Sequence, residues 1–218
     1  MKLRGQYLIW PLWLAFLLYS FVFAPASDPN TSTIVMNILR GRFGGINWVV
    51  IALFNLMGVW PLIFMILLGI ESQSQKISAW PFILGSFFLG AFLLLPYFGL
   101  RKSNPDPAPA RKGIVKHLDS RGLPIVLFVI SIVLVMMVII EGDWNDYLLQ
   151  FRTNGFIHVM SLDFVAFALL FPLAVKDDML RRNWFQKTKW IGFSVVPVLG
   201  PIIYLIVAPR LIDTIPST

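Results

Sequence analysis

Two groups of carboxylates stand where they are costly or crowded. Asp163 is the one acidic residue inside the apolar run 156–175, and a charge in hydrocarbon costs several kcal/mol. It lies about seven residues into the run, on the order of 10 Å deep at 1.5 Å per residue. One reading is structural: a carboxylic acid kept neutral by desolvation, or one paired with Arg152 or a backbone group. The other is a proton or cation site. His158 precedes it by five positions, a rotation of about 140°, so the two do not share a helix face. As a neutral imidazole, His158 could ligate the metal of a chlorophyll-type pigment or serve as an interfacial hydrogen-bonding residue. Asn55, in the run 46–70, is expected to bond another helix and fix its register.

The second group is the segment 176–184, with Asp177, Asp178, Arg181 and Arg182, the densest cluster of charge in the chain. Adjacent carboxylates could hold Mg²⁺ against a phosphate, as in membrane-embedded lipid enzymes with Asp-rich motifs, but no third aspartate stands nearby. The spacing of four from Asp177 to Arg181 and from Asp178 to Arg182 favours helical ion pairs. Glu141, Asp143 and Asp146 read as a solvated acidic surface rather than a cation site. The chain has no cysteine, no Gly-rich phosphate loop and no His-Glu-x-x-His pattern, so no metal site and no catalytic constellation is expected.

The elements that must position these residues are apolar. Of 218 residues 57% are hydrophobic and 13% charged, and mean hydropathy is +0.76, which excludes an ordinary soluble globule. Six runs have about the length that crosses a ~30 Å hydrocarbon core: 7–24, 46–70, 79–100, 122–140, 156–175 and 190–208. The first, flanked by Met1-Lys2-Leu3-Arg4 and Ala24-Pro25-Ala26, looks like a signal peptide, but its length and its Trp and Phe content favour a retained helix. Pro197, Gly200 and Pro201 predict a kink in the last. The expectation is an all-α polytopic membrane protein of about six transmembrane helices. Its two three-helix halves, 1–100 and 122–218, flank a basic linker, 101–121, containing Pro105, Pro107 and Pro109.

The net charge of +7 sits in the connections, where anionic headgroups and topology explain it without nucleic acid. With six spans, alternate connections carry thirteen Lys and Arg against five, placing the linker on the cytoplasmic or stromal side and both termini opposite; Lys2 and Arg4 disagree. There is also an echo: Trp80, Gly90 and Arg101 recur as Trp190, Gly200 and Arg210, with Pro61 and Pro172 upstream. Under six spans these hairpins would point in opposite directions, giving a weak 3+3 inverted repeat.

Ser161-Leu162-Asp163-Phe164, Phe171-Pro172, Asp177-Asp178-Met179 with Arg181-Arg182, and Leu199-Gly200-Pro201 leading to Tyr204-Leu205 lie within residues 156–210. Through them the C-terminal quarter resembles an uncharacterised family of small multi-spanning membrane proteins of cyanobacteria and chloroplasts. The resemblance implies a photosynthetic membrane, thylakoid or plasma membrane, and no known reaction. The 19 Phe and 8 Trp suit contacts with other membrane proteins or with pigment, chlorophyll-type or carotenoid, besides the lipid bilayer. The functional expectation is a non-enzymatic accessory or assembly partner of a larger membrane complex. The alternatives are a small transporter or channel using Asp163, and a lipid or isoprenoid enzyme using Asp177 and Asp178.

Overall fold

The computed structural model describes residues 4–26, 28–72, 75–102 and 118–211, and every regular element among them is helical. In chain order these are α1 (Arg4–Leu18), continued by a π-helical turn (Tyr19–Phe23), α2 (Thr31–Leu39), α3 (Trp48–Glu71), α4 (Trp80–Leu89) and α5 (Ala91–Leu100). After the linker, most of which (103–117) lies outside the described residues, come α6 (Gly122–Glu141), α7 (Trp144–Thr153), α8 (Gly155–Arg181), α9 (Lys187–Val195) and α10 (Leu199–Val207). By length and composition α3, α6 and α8 can each cross a membrane, and the apolar stretch Tyr7–Phe23 is slightly shorter.

Two of the three long helices, α3 and α8, start where an Asn caps them. The Asn47 side chain accepts from the Val49 N–H, and the Asn154 side chain from those of Phe156 and Ile157. α3 and α8 then lie side by side and parallel. Near their starts Val50 and Ile51 pack with Ile157 and Met160; midway the Trp60 ring stacks on Phe167 with centroids 6.0 Å apart; at their ends Arg181 approaches Glu71 at 3.9 Å.

The runs 79–100 and 190–208 do not form single helices as expected. Each folds into two arms of 9 or 10 residues, about 15 Å long, that turn back on themselves. In the first, Phe82 meets Tyr97 with ring centroids 5.4 Å apart, and an added Cβ on Gly85 would strike Leu93, contacts that only antiparallel arms allow. Entry and exit adjoin the end of α3: Trp80 packs by Gly69, and Arg101 pairs with Glu71. In the second, Phe193 lies 5.6 Å from Tyr204, and the Pro209 carbonyl accepts from Arg182 at 2.6 Å. The reversals have local causes. Gly90 takes φ +57°, ψ −144°, a region closed to side chains, while Pro197 lacks an N–H and Val198 follows it at φ +63°. The kink expected at Pro197 is thus a full reversal.

Both hairpins enter from one end of the molecule, the charged end, where α3 and α8 finish. α1 runs away from that end: Trp10 lies against Gly99, Phe16 stacks on Phe92, and Tyr19 reaches His158 near the start of α8. α6 does likewise, from Asp119, paired with Arg182, to Gly142 beside Val49. Each half is therefore an outbound helix, a short helix at the far end, a long returning helix and a hairpin.

The halves are repeats, but not inverted ones. At a constant separation of 107 positions stand Asn47 and Asn154, Trp60 and Phe167, Phe64 and Phe171, Glu71 and Asp178, Tyr97 and Tyr204. Hydrogen bonds repeat as well. Gln75 donates to Glu71 and to the Lys102 carbonyl, and Arg182, 107 positions on, donates to Asp178 and to the Pro209 carbonyl. Because α3 and α8 point the same way, the repeat is parallel, which replaces the inverted arrangement.

Candidate functional site

The Asp163 carboxylate is 4% exposed and belongs to the tip of the first hairpin. Its Oδ1 accepts from the Ala91 N–H at 2.9 Å, and the Phe92 N–H also reaches the carboxylate. These are the orphan donors at the start of α5, so Asp163 caps that helix from a different element and meets the positive end of its dipole. Gly90 permits the approach: a Cβ there would lie 1.6 Å from Asp163 Oδ2. Of the sequence alternatives, pairing with a backbone group is the one realised. Arg152, the other proposed partner, is exposed at the end of α7.

Beside the tip is a pocket of about 480 Å³ between α3, the hairpin and the start of α8, lined among others by Asn55, Phe88, Gly90, Met160 and Asp163. Asn55 corrects the expectation made of it. Its Nδ2 donates to the Ile51 carbonyl of its own helix at 2.8 Å, and the side chain is exposed rather than bonded to a neighbouring helix.

His158 is 8% exposed, with both ring nitrogens engaged. Nδ1 stands 2.7 Å from the Phe151 carbonyl and Nε2 2.9 Å from the Tyr19 hydroxyl, while Phe151 stacks on the ring at 4.3 Å. A carbonyl only accepts, so Nδ1 carries the hydrogen of the neutral ring and Nε2 accepts from Tyr19. The atom that would ligate a pigment metal is thus in use, and the hydrogen-bonding role is the one the geometry fits. Separation from Asp163 is as the helical rotation requires: His158 faces α1, Asp163 faces the hairpin tip.

At the charged end a buried network joins both halves. Arg101 pairs with Glu71 and, at 3.1 Å, with Asp177; it also donates to the Leu173 carbonyl and sits 4.4 Å over the Phe98 ring. Asp178, 1% exposed, takes Arg182 Nε at 2.7 Å, Arg181 at 3.4 Å and the Tyr204 hydroxyl at 2.6 Å. Arg182 continues to Asp119 at 2.8 Å, whose other oxygen accepts from the Leu211 N–H. The spacing argument holds for Asp178 with Arg182, and Asp177 also meets Arg101, remote in sequence. The sequence reading gave no site role to Glu71, Arg101, Asp119 or Tyr204. Their signal was weak: Glu71 and Arg101 are the first charges after the apolar runs 46–70 and 79–100. Asp143 caps α7 through the Asn145 and Asp146 N–H groups, and Asp146 accepts from Asn47 and Gln150, so these two serve structure at the far end.

Comparison with known proteins finds no matching family model, no matching curated protein and no matching solved structure.

Proposed function

We propose that this chain is a non-enzymatic integral membrane protein, an accessory or assembly partner of a larger membrane complex, inserted by four crossing helices (α1, α3, α6, α8) and two re-entrant hairpins. The observation that carries the reading is the surface around Asn55. An exposed amide in the middle of an apolar span, beside Phe88, which is 89% exposed on the hairpin tip, is a polar group facing hydrocarbon unless another protein covers it. Aromatic side chains next to an unshielded amide make a surface suited to a partner helix. A photosynthetic membrane, thylakoid or plasma membrane, belongs to the proposal through the resemblance of residues 156–210.

Sidedness supports the four-span insertion. Lys76, Lys102, Arg121, Lys187, Lys189 and Arg210 lie at the charged end with the network arginines, against Arg40, Arg42 and Arg152 at the other. The positive-inside rule then makes the charged end, and the linker that joins Lys102 to Leu118, cytoplasmic or stromal. Purification in mild detergent is expected to recover a stoichiometric partner that Asn55→Leu combined with Phe88→Ala releases. Recovery of a bare monomer in several mild detergents overturns the proposal.

A second reading, a transporter or channel, rests on the 480 Å³ pocket that brings Asp163 and Asn55 to a helix start inside the apolar spans, as broken helices do where they hold substrates. Flux in proteoliposomes that Asp163→Asn leaves unchanged removes it. The third, a lipid enzyme, gains nothing from the geometry, because Asp177 and Asp178 both have guanidinium partners.

A further inference from the structure

We propose that the groove between α1 and α8 binds a single-chain amphiphile, an isoprenoid or acyl chain ending in a hydroxyl, with its head on Tyr19 and its tail along Leu162, Val165 and Leu169. The groove has a volume of about 530 Å³, within the range of small-molecule sites. Its floor is one stripe of α8, in which Leu162, Val165, Leu169 and Leu173 recur at spacings of three and four and extend about 16 Å. Val165 and Leu169 are 51% and 64% exposed there. The opposite wall is α1, antiparallel, ending in Tyr19.

Polarity is confined to one end. His158, fixed as the Nε2 acceptor by the Phe151 carbonyl, takes the Tyr19 proton, which leaves the phenol oxygen with a lone pair and no hydrogen to give. A ligand head must therefore donate, which an alcohol does and an alkane or a carboxylate does not. Among the described residues that line the groove there is no Lys or Arg to meet a phosphate or a carboxylate. His158 is the fourth residue of α8, about 5 Å from its start, so the head sits near the far interface with the tail pointing inward, as an amphiphile lies in a bilayer.

Two features mark the groove as built rather than incidental. The chain winds as a π-helical turn from Tyr19, closed by the Ala24 N–H on the Tyr19 carbonyl at 3.0 Å; such turns are rare and frequent at functional positions. The sister seam in the other half is also shut, for α6 packs along α3, whereas α1 packs on α5 and meets α8 at Tyr19 and His158. The repeat thus has a closed and an open version of one seam. The occupant proposed here is independent of any protein partner at Asn55.

The test is photolabelling of the full-length protein in mild detergent with a hexadecanol carrying a diazirine in its chain. Label is expected on the peptides containing Val165 and Leu12, competed by unlabelled hexadecanol or geranylgeraniol. Whichever acts at lower concentration identifies the acyl or the isoprenoid source. Hexadecane, palmitate and phospholipid are expected to compete at least tenfold less well. Val165→Trp fills the groove from an exposed position and should cut labelling about tenfold. Tyr19→Phe combined with His158→Phe removes both acceptors, the phenol oxygen and Nε2, and should abolish the preference for alcohol over alkane. Equal competition by hexadecane, stronger competition by phospholipid, or labelling indifferent to Val165→Trp in a protein that elutes like wild type overturns the proposal.

Discussion

At Asp163 the cost of a buried carboxylate is offset by donors that would otherwise be orphaned. The Ala91 and Phe92 N–H groups begin a helix at the hairpin tip, and the carboxylate arrives from α8 to cap them. Asp163→Asn keeps an acceptor and should destabilise modestly, by about 1 kcal/mol. Asp163→Leu strands both N–H groups and should lose roughly 1–3 kcal/mol for each. Graded SDS unfolding followed by circular dichroism separates the two variants, and equal losses would contradict the cap. Gly90→Ala is expected to fall with the severe class, since it combines a forced positive φ with a side-chain clash. Gly58→Ala, where nothing lies within 4 Å of the added Cβ, should be neutral or raise stability by about 0.5–1 kcal/mol. Sequence reasoning could rank a structural role, a neutral acid or one paired with Arg152 or a backbone group, above a proton site for Asp163, because no other ionisable residue lay deep enough to continue a relay. It could not name that partner, which is 72 residues away.

The hairpins were the least legible elements. A run of some 20 apolar residues satisfies the length test for a span whether it crosses or returns, and composition carries no sign of the reversal. What decides is Gly90 in one run and Pro197 in the other, residues that spanning helices also tolerate. The long helices were legible because their uninterrupted apolar length agrees with the structure. The repeat was half visible: Trp80, Gly90 and Arg101 do echo Trp190, Gly200 and Arg210, yet the pairs that superpose functionally are 107 apart, not 109 or 110. That register makes Gln75 and Arg182 counterparts, each tying the end of a long helix to the exit of its hairpin. Arg182→Gln should therefore keep the bond to the Pro209 carbonyl, lose only its charge pairs, and cost less than Arg182→Leu. Arg101→Leu removes the cation between Glu71 and Asp177 and should cost about 3–5 kcal/mol, as does breaking a buried pair from one side. Thermal midpoints in detergent for the three variants give the order. A Gln as damaging as a Leu at position 182 would show that the charge, rather than the hairpin tie, is what matters.

For the whole molecule, the proposed insertion with re-entrant hairpins predicts a different topology from the one six apolar runs suggest. With six crossings Lys76 faces the side opposite to Lys187 and Arg42 shares the side of Lys187. With two hairpins Lys76 and Lys187 share a side and Arg42 faces the other. The basic residues favour the second arrangement, and Arg4, which contradicts six crossings, ceases to be an exception because α1 starts at the charged end. The chain contains no cysteine, so single variants can be labelled without background. Lys76→Cys, Lys187→Cys, Arg42→Cys and Asn145→Cys all alter exposed positions in connections or helix ends. In sealed vesicles a membrane-impermeant maleimide should modify the first two from one side and the last two from the other. Labelling of Lys76→Cys together with Arg42→Cys and apart from Lys187→Cys fits neither arrangement. Labelling of Arg42→Cys with Lys187→Cys restores six crossings and removes the hairpins. Under the four-crossing outcome both open regions, the Asn55 surface and the Tyr19–His158 groove, lie in the half of the bilayer away from the charged end, so a partner and an amphiphile would reach the protein from the same leaflet.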